Sequence, residues 1–536
     1  MDILNKFRGF FESKTAFYGV LLLAMIFTTF PFGFRYFAFS DDWFSLGIFS
    51  LYTENIWRDA VLSYGLHGFR PLAGLLEVYI VSAFWPSMWI ILLAITLLRF
   101  FTMVLLEDVF IHCNITWGRV AIVFFAFFPT LTESTYWLSA SVRIVPSGFL
   151  GVLTAYALLK FLHEYGHKWL ILVIISGILA QGFYEQGIIF TFVLTLGVLI
   201  LHRDKVKHKV LFALPFVNVG MIGLHYFIFR NVGWLGARVD SEVDFNFIRH
   251  IPIVTQRIAR VFVHEQLPTF TNTLRGGILI LGREYPVLFI IAVVLSVALA
   301  TFLIFEKYES PKNLPLSLFA GVVLGLSTMA VFFVLADGWV WVRNFYFLLL
   351  GFAVLFELLA RATDFSKWWF RIWRGILAGL CIFVFISGYI LEVHSLRSIH
   401  YYDDKIIQQL ADRIEELAID TTEEVWLLGL RWTYAPTISP RLTSQLRIDW
   451  AANAHYRYVH ASRNGLLGTD QHHEIVPVMN GQRLRPDFAE HHLFAIDSDL
   501  QVREIEIREG LEMYNLYFAD NGEAFGIVSL DVFWRH

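Results

Sequence analysis

Charge is scarce in this 536-residue chain, where Asp, Glu, Lys and Arg together make up 16% of the residues and the formal net charge is -4. That balance excludes a nucleic-acid binder, because the lysines and arginines are dispersed among short loops instead of gathered on one face. Cysteine is nearly absent. Cys113 and Cys381 lie far apart, beside or within apolar runs, so neither a disulfide framework nor a cysteine metal site is expected. A phosphate-cradling glycine loop is missing too: Arg275-Gly276-Gly277 and similar pieces lack the Walker pattern, which disfavours an ATP-driven pump. No repeat of 20 to 50 residues and no low-complexity tract stands out.

What the chain does have is hydrocarbon. Hydrophobic residues make up 57% and aromatics 17%, and apolar runs recur at about 15–34, 88–106, 119–131, 145–162, 169–184, 187–201, 210–229, 286–305, 315–335, 344–361 and 375–392. Each is near the length of about 20 residues that a bilayer requires, which predicts a polytopic α-helical membrane protein with about eleven transmembrane helices. Lys6, Arg8 and Lys14 precede the first run, no small-residue cleavage site follows it, and a retained span is expected. With the N-terminus in the cytoplasm, the inside loops hold Arg119, Lys160, Lys168, the Arg203–Lys209 cluster, Lys307, Lys312 and Arg361 to Arg374, which satisfies the positive-inside rule.

The external segments are then 35–70, 132–144, the turn at Tyr184 to Gly187, 230–285, 336–343 and everything after about 393. Between 71 and 106 two drawings fit: a separate short helix over 72–85, or one long helix kinked at Pro86. Leu51 to Phe69 reads as an amphipathic surface helix. The expected domains are a membrane domain over 1–393 with external loops 35–70 and 230–285, and a soluble extracytoplasmic α/β domain over 394–536. In the latter, Ile406, Ile407, Leu410, Ile414 and Leu417 fall at helical spacing.

Asp41 and Asp42 stand next to each other just beyond the first apolar run. Adjacent carboxylates repel, so an aspartate pair at a membrane surface points to a proton, a cation or a substrate that answers the charge. Arg70, Glu133, Arg143, Glu185 and Arg343 fall on the same predicted face. Glycosyl transfer from a polyprenyl-phosphate sugar uses this layout. The sugar gains oxocarbenium character, the acceptor hydroxyl needs a carboxylate base, and the departing phosphate needs cations. Arginine suits the phosphate because its planar fork holds two oxygens and stays charged. Arg343, with Arg70 and Arg143, are the candidates for donor phosphate binding.

A set of short motifs in order resembles the C-type glycosyltransferase superfamily, in particular its protein O-mannosyltransferase-like branch. After the first span come Asp41-Asp42 and then Arg70-Pro71-Leu72, similar to the family's aspartate pair and Arg-Pro-Leu. Pro129-Thr-Leu-Thr-Glu133-Ser-Thr-Tyr-Trp137 resembles the family's Pro-x-x-x-Glu-x-x-x-Trp. Glu185 looks like its external Lys-Glu turn with Tyr184 in place of the lysine, and Arg343-Asn-Phe-Tyr346 looks like its Arg-Tyr-x-Tyr with Asn344 as a departure. The resemblance covers about residues 1–350. It implies a catalytic aspartate in the first loop and a polyprenyl-phosphate-linked sugar donor. No tetratricopeptide pattern follows the membrane part.

The expected activity is therefore a membrane glycosyltransferase delivering sugar to an extracytoplasmic glycan, lipid or protein acceptor, with the polyprenyl-phosphate-linked donor and membrane lipid as its other partners and no nucleic acid. Asp41 or Asp42 is the base, and Glu133 and Glu185 position the acceptor or form a metal shell. A divalent cation, Mg or Mn, is compatible with such carboxylates but not required. The rival class is a secondary transporter or lipid-linked sugar flippase using the same acids for ions or protons. It would place them at the midplane on broken helices with inverted repeats, whereas these acids lie at span ends. The histidines at 455, 460, 472, 473, 491 and 492 match no zinc ligand spacing and read as surface residues. Asn114-Ile-Thr116 matches a glycosylation sequon but falls in a cytoplasmic loop of this topology. The charged loop from Asn231 to Tyr285 reads equally as a lid and as an amphipathic helix on the membrane.

Overall fold

The computed structural model describes residues 8–43, 47, 70–85, 87–231, 247–306, 313–333, 340–362, 368–421, 423–434, 437–438, 442–464, 473–479, 491–509, 513–521 and 523–529. The expected amphipathic helix at Leu51 to Phe69, the loop charges from Arg238 to Asp244, and His472 lie outside these residues. The chain divides into two units. One comprises Met1–Tyr36, Ala60–Ile80 and Pro86–Val393, and the other Phe37–Asp59, Val81–Trp85 and His394–His536.

The first unit is helical: α1 (Lys14–Thr29), α2 (Trp89–His112), α3 (Arg119–Phe127), α4 (Leu138–Glu164), α5 (His167–Gln181), α6 (Glu185–Leu201), α7 (Leu214–Asn231), α8 (Phe247–Val261), α9 (Pro286–Phe305), α10 (Leu314–Ser327), α11 (Phe345–Ala362) and the start of α12 (Trp368–Glu416). Local chemistry sets the ends. The Ser13 hydroxyl accepts the Ala16 N–H at the start of α1, and the Asn313 side chain accepts the Leu316 N–H at the start of α10. Pro286 opens α9, and Tyr165 closes α4 in the left-handed conformation, φ 51°.

Among the described residues, six helices are long and apolar enough to cross a bilayer: α2, α4, α9, α10 extended by its 3-10 turn to Phe333, α11 and α12. Other apolar runs fold as shorter helices, 16 residues in α1, 9 in α3, 15 in α5 and 17 in α6. α3 stops early because Phe128, ahead of Pro129, leaves helical geometry with ψ 118°. The segment after Arg70 is a separate short element, not the first part of a kinked α2. It runs as α-helix over Pro71–Leu76, π-helix over Glu77–Val81 and 3-10 helix over Ser82–Phe84, then turns extended at Trp85, ψ 125°.

Apolar burial supplies little drive between helices in lipid, so close backbone approach at small residues matters more. Gly351 of α11 faces Gly321 and Gly325 of α10, and a Cβ on Gly351 would lie 2.6 Å from the Gly325 Cα. A Cβ on Gly187 of α6 would lie 2.8 Å from the Ser147 Cβ of α4. Opposite charges hold the two ends of α3. Glu357 accepts the Ala121 N–H at 3.0 Å and pairs with Arg361 at 2.6 Å, while buried Arg99 donates to the carbonyls of Phe125, at 2.9 Å, and Ala126. An anion at a helix start and a cation at its end both complement the backbone dipole and satisfy orphan groups.

The second unit holds β1 (Glu424–Leu430), α13 (Asp449–Asn464), β2 (Glu474–Met479), β3 (His492–Ile496), β4 (Val502–Glu509), β5 (Met513–Phe518) and β6 (Ala524–Ser529). The sheet order is β2-β1-β3-β4-β5-β6; β1 runs parallel to β2 and β3, and the later pairs are antiparallel. α13 provides the crossover that a parallel β1–β2 pair requires. Alternation along β1 separates two cores. Val425 and Leu427 pack with Ile406, Leu410 and Ile414 of α12 and with Tyr456 of α13, while Trp426 and Leu428 pack with Ile505, Leu516 and Phe518. Phe37–Asp59 groups with this unit and not with the rest of 1–393, because Trp43 stacks against second-unit aromatics: its ring lies 3.7 Å from that of His455 and 5.7 Å from that of His400.

Candidate functional site

In the first unit Arg70, Arg143, Glu185 and Arg343 gather around Tyr184. Arg70 immediately precedes the short helix at Pro71, whose Leu72 and Ala73 N–H groups donate to the Gly182 carbonyl at 2.9 and 3.2 Å. This ties the Arg70 segment to the turn between α5 and α6. The Arg70 guanidinium then meets Glu185, the first residue of α6, through Nε to Oε1 at 2.8 Å and Nη2 to Oε2 at 2.9 Å, and lies 4.6 Å from the Tyr184 ring centre. Arg143, inside α4, makes the same forked pair with Glu77, where Nη2 donates to Oε2 at 2.9 Å and both side chains are buried. Two-pronged geometry is what makes a charged pair tolerable away from water.

Tyr184 senses four of these charges. Burial drives its hydroxyl well above the ordinary tyrosine range, Arg70 opposes this, Glu185 adds to it, and Arg343 and Arg143 oppose it. The phenol therefore stays protonated and serves as a neutral hydrogen-bonding group. Burial works to lower the Arg70 guanidinium, yet Glu185, Tyr184 and Glu77 together hold it above its ordinary value.

Arg343 differs from the other two arginines. It sits in the 3-10 turn Val342–Asn344 before α11, half-buried, with its guanidinium 4.9 Å from the Trp137 ring centre and 5.9 Å from that of Trp341. Among the described residues no carboxylate pairs with it. The motif tryptophan of one segment and the motif arginine of another thus form a cation–π contact, which holds the guanidinium without consuming its donor fork. The adjacent Asn344 is fixed. Its Nδ2 donates to the Tyr184 hydroxyl at 2.5 Å, its Oδ1 accepts the Trp341 N–H at 2.7 Å, and its carbonyl accepts from Gln186 Nε2 at 3.0 Å. The two positions that depart from the resembled motifs, Tyr184 and Asn344, are therefore bonded to each other.

Glu133 is half-buried in the four-residue helix Thr132–Thr135. On either side of it Thr132 donates to the buried carboxylate of Glu392, and Thr135 shares a hydrogen bond of 2.9 Å with Tyr389. Glu77, Glu392 and Gln186 were not singled out from sequence. The available signal was a lone acid inside otherwise apolar stretches, 71–85 and 375–392.

The aspartate pair belongs to the second unit. Ser40 takes the left-handed conformation, φ 51°, and the Asp42 carboxylate accepts the Phe39 N–H at 2.9 Å, closing a tight turn. Asp42 is fully buried and Asp41 half-exposed. The neighbours thus differ in kind: Asp42 fixes backbone, and Asp41 is the more accessible carboxylate. Trp43 continues the segment onto His455, whose Nε2 lies 3.1 Å from Asp404. Burial lowers the His455 imidazole below its ordinary value although Asp404 favours its charged form, so the ring under Trp43 is neutral near pH 7. His455 and His473 are buried, not surface residues, and His473 bridges the Tyr456 hydroxyl at 3.0 Å and the Ile419 carbonyl at 3.1 Å.

Glu185 commits both oxygens to Arg70, and among the described residues no group of three or more His, Cys, Asp or Glu side chains is placed to hold a metal ion. The described residues form a mostly α-helical chain whose first unit carries helices long and apolar enough to cross a membrane and whose second unit holds a small mixed sheet. No known protein family matches the chain, and neither a curated protein nor a solved structure matches it.

Proposed function

We propose that this chain is a membrane glycosyltransferase of the C-type kind, moving a sugar from a polyprenyl-phosphate carrier to an extracytoplasmic acceptor, a cell-envelope glycan, lipid or protein. The observation that carries the reading is Arg343: a guanidinium stacked on Trp137, with no carboxylate partner among the described residues, between neighbours fixed by hydrogen bonds. Such a fork is prepared for an oxyanion with two oxygens to offer. Arg70 and Arg143 already hold Glu185 and Glu77, so their part is to set the local charge balance.

In this reading Asp41 accepts the proton of the acceptor hydroxyl as that oxygen bonds to the sugar carbon. The bond from that carbon to the phosphate oxygen breaks with inversion, and the phosphate leaves with the electron pair. Asp42 holds the turn that presents Asp41. The shorter apolar helices complete about eleven crossings. The Arg203–Lys209 cluster and the other loop cations support a cytoplasmic N-terminus and an extracytoplasmic second unit in a cytoplasmic membrane.

The test compares envelope glycans, by mass spectrometry, from cells carrying the wild-type chain, Asp41→Asn, Asp42→Asn or Arg343→Ala. Asp41→Asn should lower transfer by about 10²–10⁴-fold, the usual worth of a general base, with protein still in the membrane. Arg343→Ala should lower it as well. Unchanged glycans in Asp41→Asn and Arg343→Ala together overturn the proposal.

A further inference from the structure

We propose that the first unit binds one acyl chain of an anionic phospholipid in an apolar notch between α2, α6 and α10. The notch has a volume of ≈ 300 Å³ and is walled by Phe110 of α2 and Cys113 just after it, Gly197 and Leu201 of α6, and Phe319 and Leu324 of α10. It opens at Ile200 and Phe319, which are 54% and 66% exposed, on a surface of apolar side chains. Its cause is local. Gly197 offers no side chain where α6 passes the other two helices, and a Cβ placed on it would meet nothing within 4 Å. From Val193 to Leu201 the α6 wall rises about 12 Å, enough for a stretch of hydrocarbon chain.

An apolar hollow of this kind offers water no partners, and left empty it forfeits dispersion contacts along its whole lining. A hydrocarbon chain satisfies it. The headgroup is read from the adjoining charges: Arg203, Lys205, Lys207 and Lys209 begin two residues beyond Leu201, with Asp204 the only acid among them. Arg203, Lys207 and Lys209 are exposed, Lys207 lies 4.0 Å from the Tyr165 ring centre, and Lys205 Nζ lies 2.6 Å from the His163 imidazole. A cluster of cations beside an apolar slot matches a phosphate with its attached chain. The position separates this lipid from the proposed sugar carrier, because Glu185, at the opposite end of α6, lies about 24 Å along the helix from Leu201.

The full chain, purified in mild detergent and stripped of lipid, is incubated with phosphatidylglycerol, phosphatidylcholine of the same chains, or a polyprenyl phosphate, and native mass spectrometry counts the bound molecules. The wild-type chain should retain one phosphatidylglycerol in preference to the other two. Gly197→Phe fills the notch from a position with free space and should abolish that retention. Arg203→Gln combined with Lys209→Gln leaves the notch intact and should lower the preference for phosphatidylglycerol over phosphatidylcholine about tenfold or more, since each cation contributes to the headgroup contact. Equal retention by Gly197→Phe, no discrimination between headgroups in the wild type, or preferential retention of the polyprenyl phosphate would each overturn the assignment.

Discussion

Tyr184 joins two of the candidate site's polar side chains: Arg70 lies over its ring and Asn344 donates to its hydroxyl. Removing that hydroxyl leaves the buried Asn344 Nδ2 with only a long contact to Gln186 Oε1 at 3.4 Å. Tyr184→Phe should therefore cost about 1–3 kcal/mol, the penalty of an unsatisfied buried donor, and lower the unfolding temperature of the detergent-solubilised chain. An unchanged melting curve would show that Asn344 finds another acceptor. Which residues were visible beforehand follows from the same physics. Asp41, Asp42 and the arginines stand out because charge is rare in this chain and sits at the ends of apolar runs. Glu77 and Glu392 do not, because each is settled by a partner far away in sequence: Arg143 lies 66 residues from Glu77, and Thr132 lies 260 from Glu392. A local pattern carries no trace of such a partner. For the same reason the burial of Asp42 against its own turn, which separates it from Asp41, could not be read from two identical letters.

At the scale of elements, hydropathy located the helices but not their lengths. The run at 119–131 yields the nine-residue α3, since Phe128, before Pro129, leaves helical geometry and the helix is anchored by Glu357 at its start and Arg99 at its end. The run at 145–162 underestimates α4, which starts at Leu138 and carries Pro146 within it. Polar residues such as Ser139, Ser141 and Arg143 lower the hydropathy of that first part, yet all three are buried against protein. Helix contacts were equally hidden, because glycine counts as neutral in an apolar run and only its neighbour across the interface gives it a role. The α10–α11 pair tests this. Gly351→Ala would press a methyl group to within 2.6 Å of the Gly325 Cα, where backbone and not a movable side chain must give way. The expected loss is about 1–3 kcal/mol, the ordinary cost of overpacking, read as a lower unfolding temperature in detergent. Gly220→Ala, at a helical position with nothing within 4 Å, should leave the temperature unchanged or raise it slightly through helix propensity, and an equal loss in the two variants would count against close glycine packing.

For the whole molecule, the change in composition near residue 394 announced a second unit, but not that the unit is discontinuous in sequence. Phe37–Asp59 and Val81–Trp85 belong to it, and the reason is aromatic surface that only folding assembles. Trp43 lies nearly parallel to the His455 and His400 rings, at 12° and 7°, and Trp85 meets both Trp43, at 5.3 Å, and Tyr458, at 5.4 Å. A fragment of residues 394–536 would lack both tryptophans and expose His400, His455 and Tyr458 together. Losing a large buried aromatic costs about 3–5 kcal/mol, a substantial part of the stability of a domain this size. The fragment should therefore run as soluble aggregate in size-exclusion chromatography, or unfold without a cooperative transition by circular dichroism. A monomeric fragment with a sharp transition would show that Trp43 and Trp85 are dispensable to the unit. If they are not, the stretch that carries Asp41 and Asp42 is fixed by the second unit's own packing, and Trp43→Ala in the full chain should disturb the aspartate turn together with the stability of that unit.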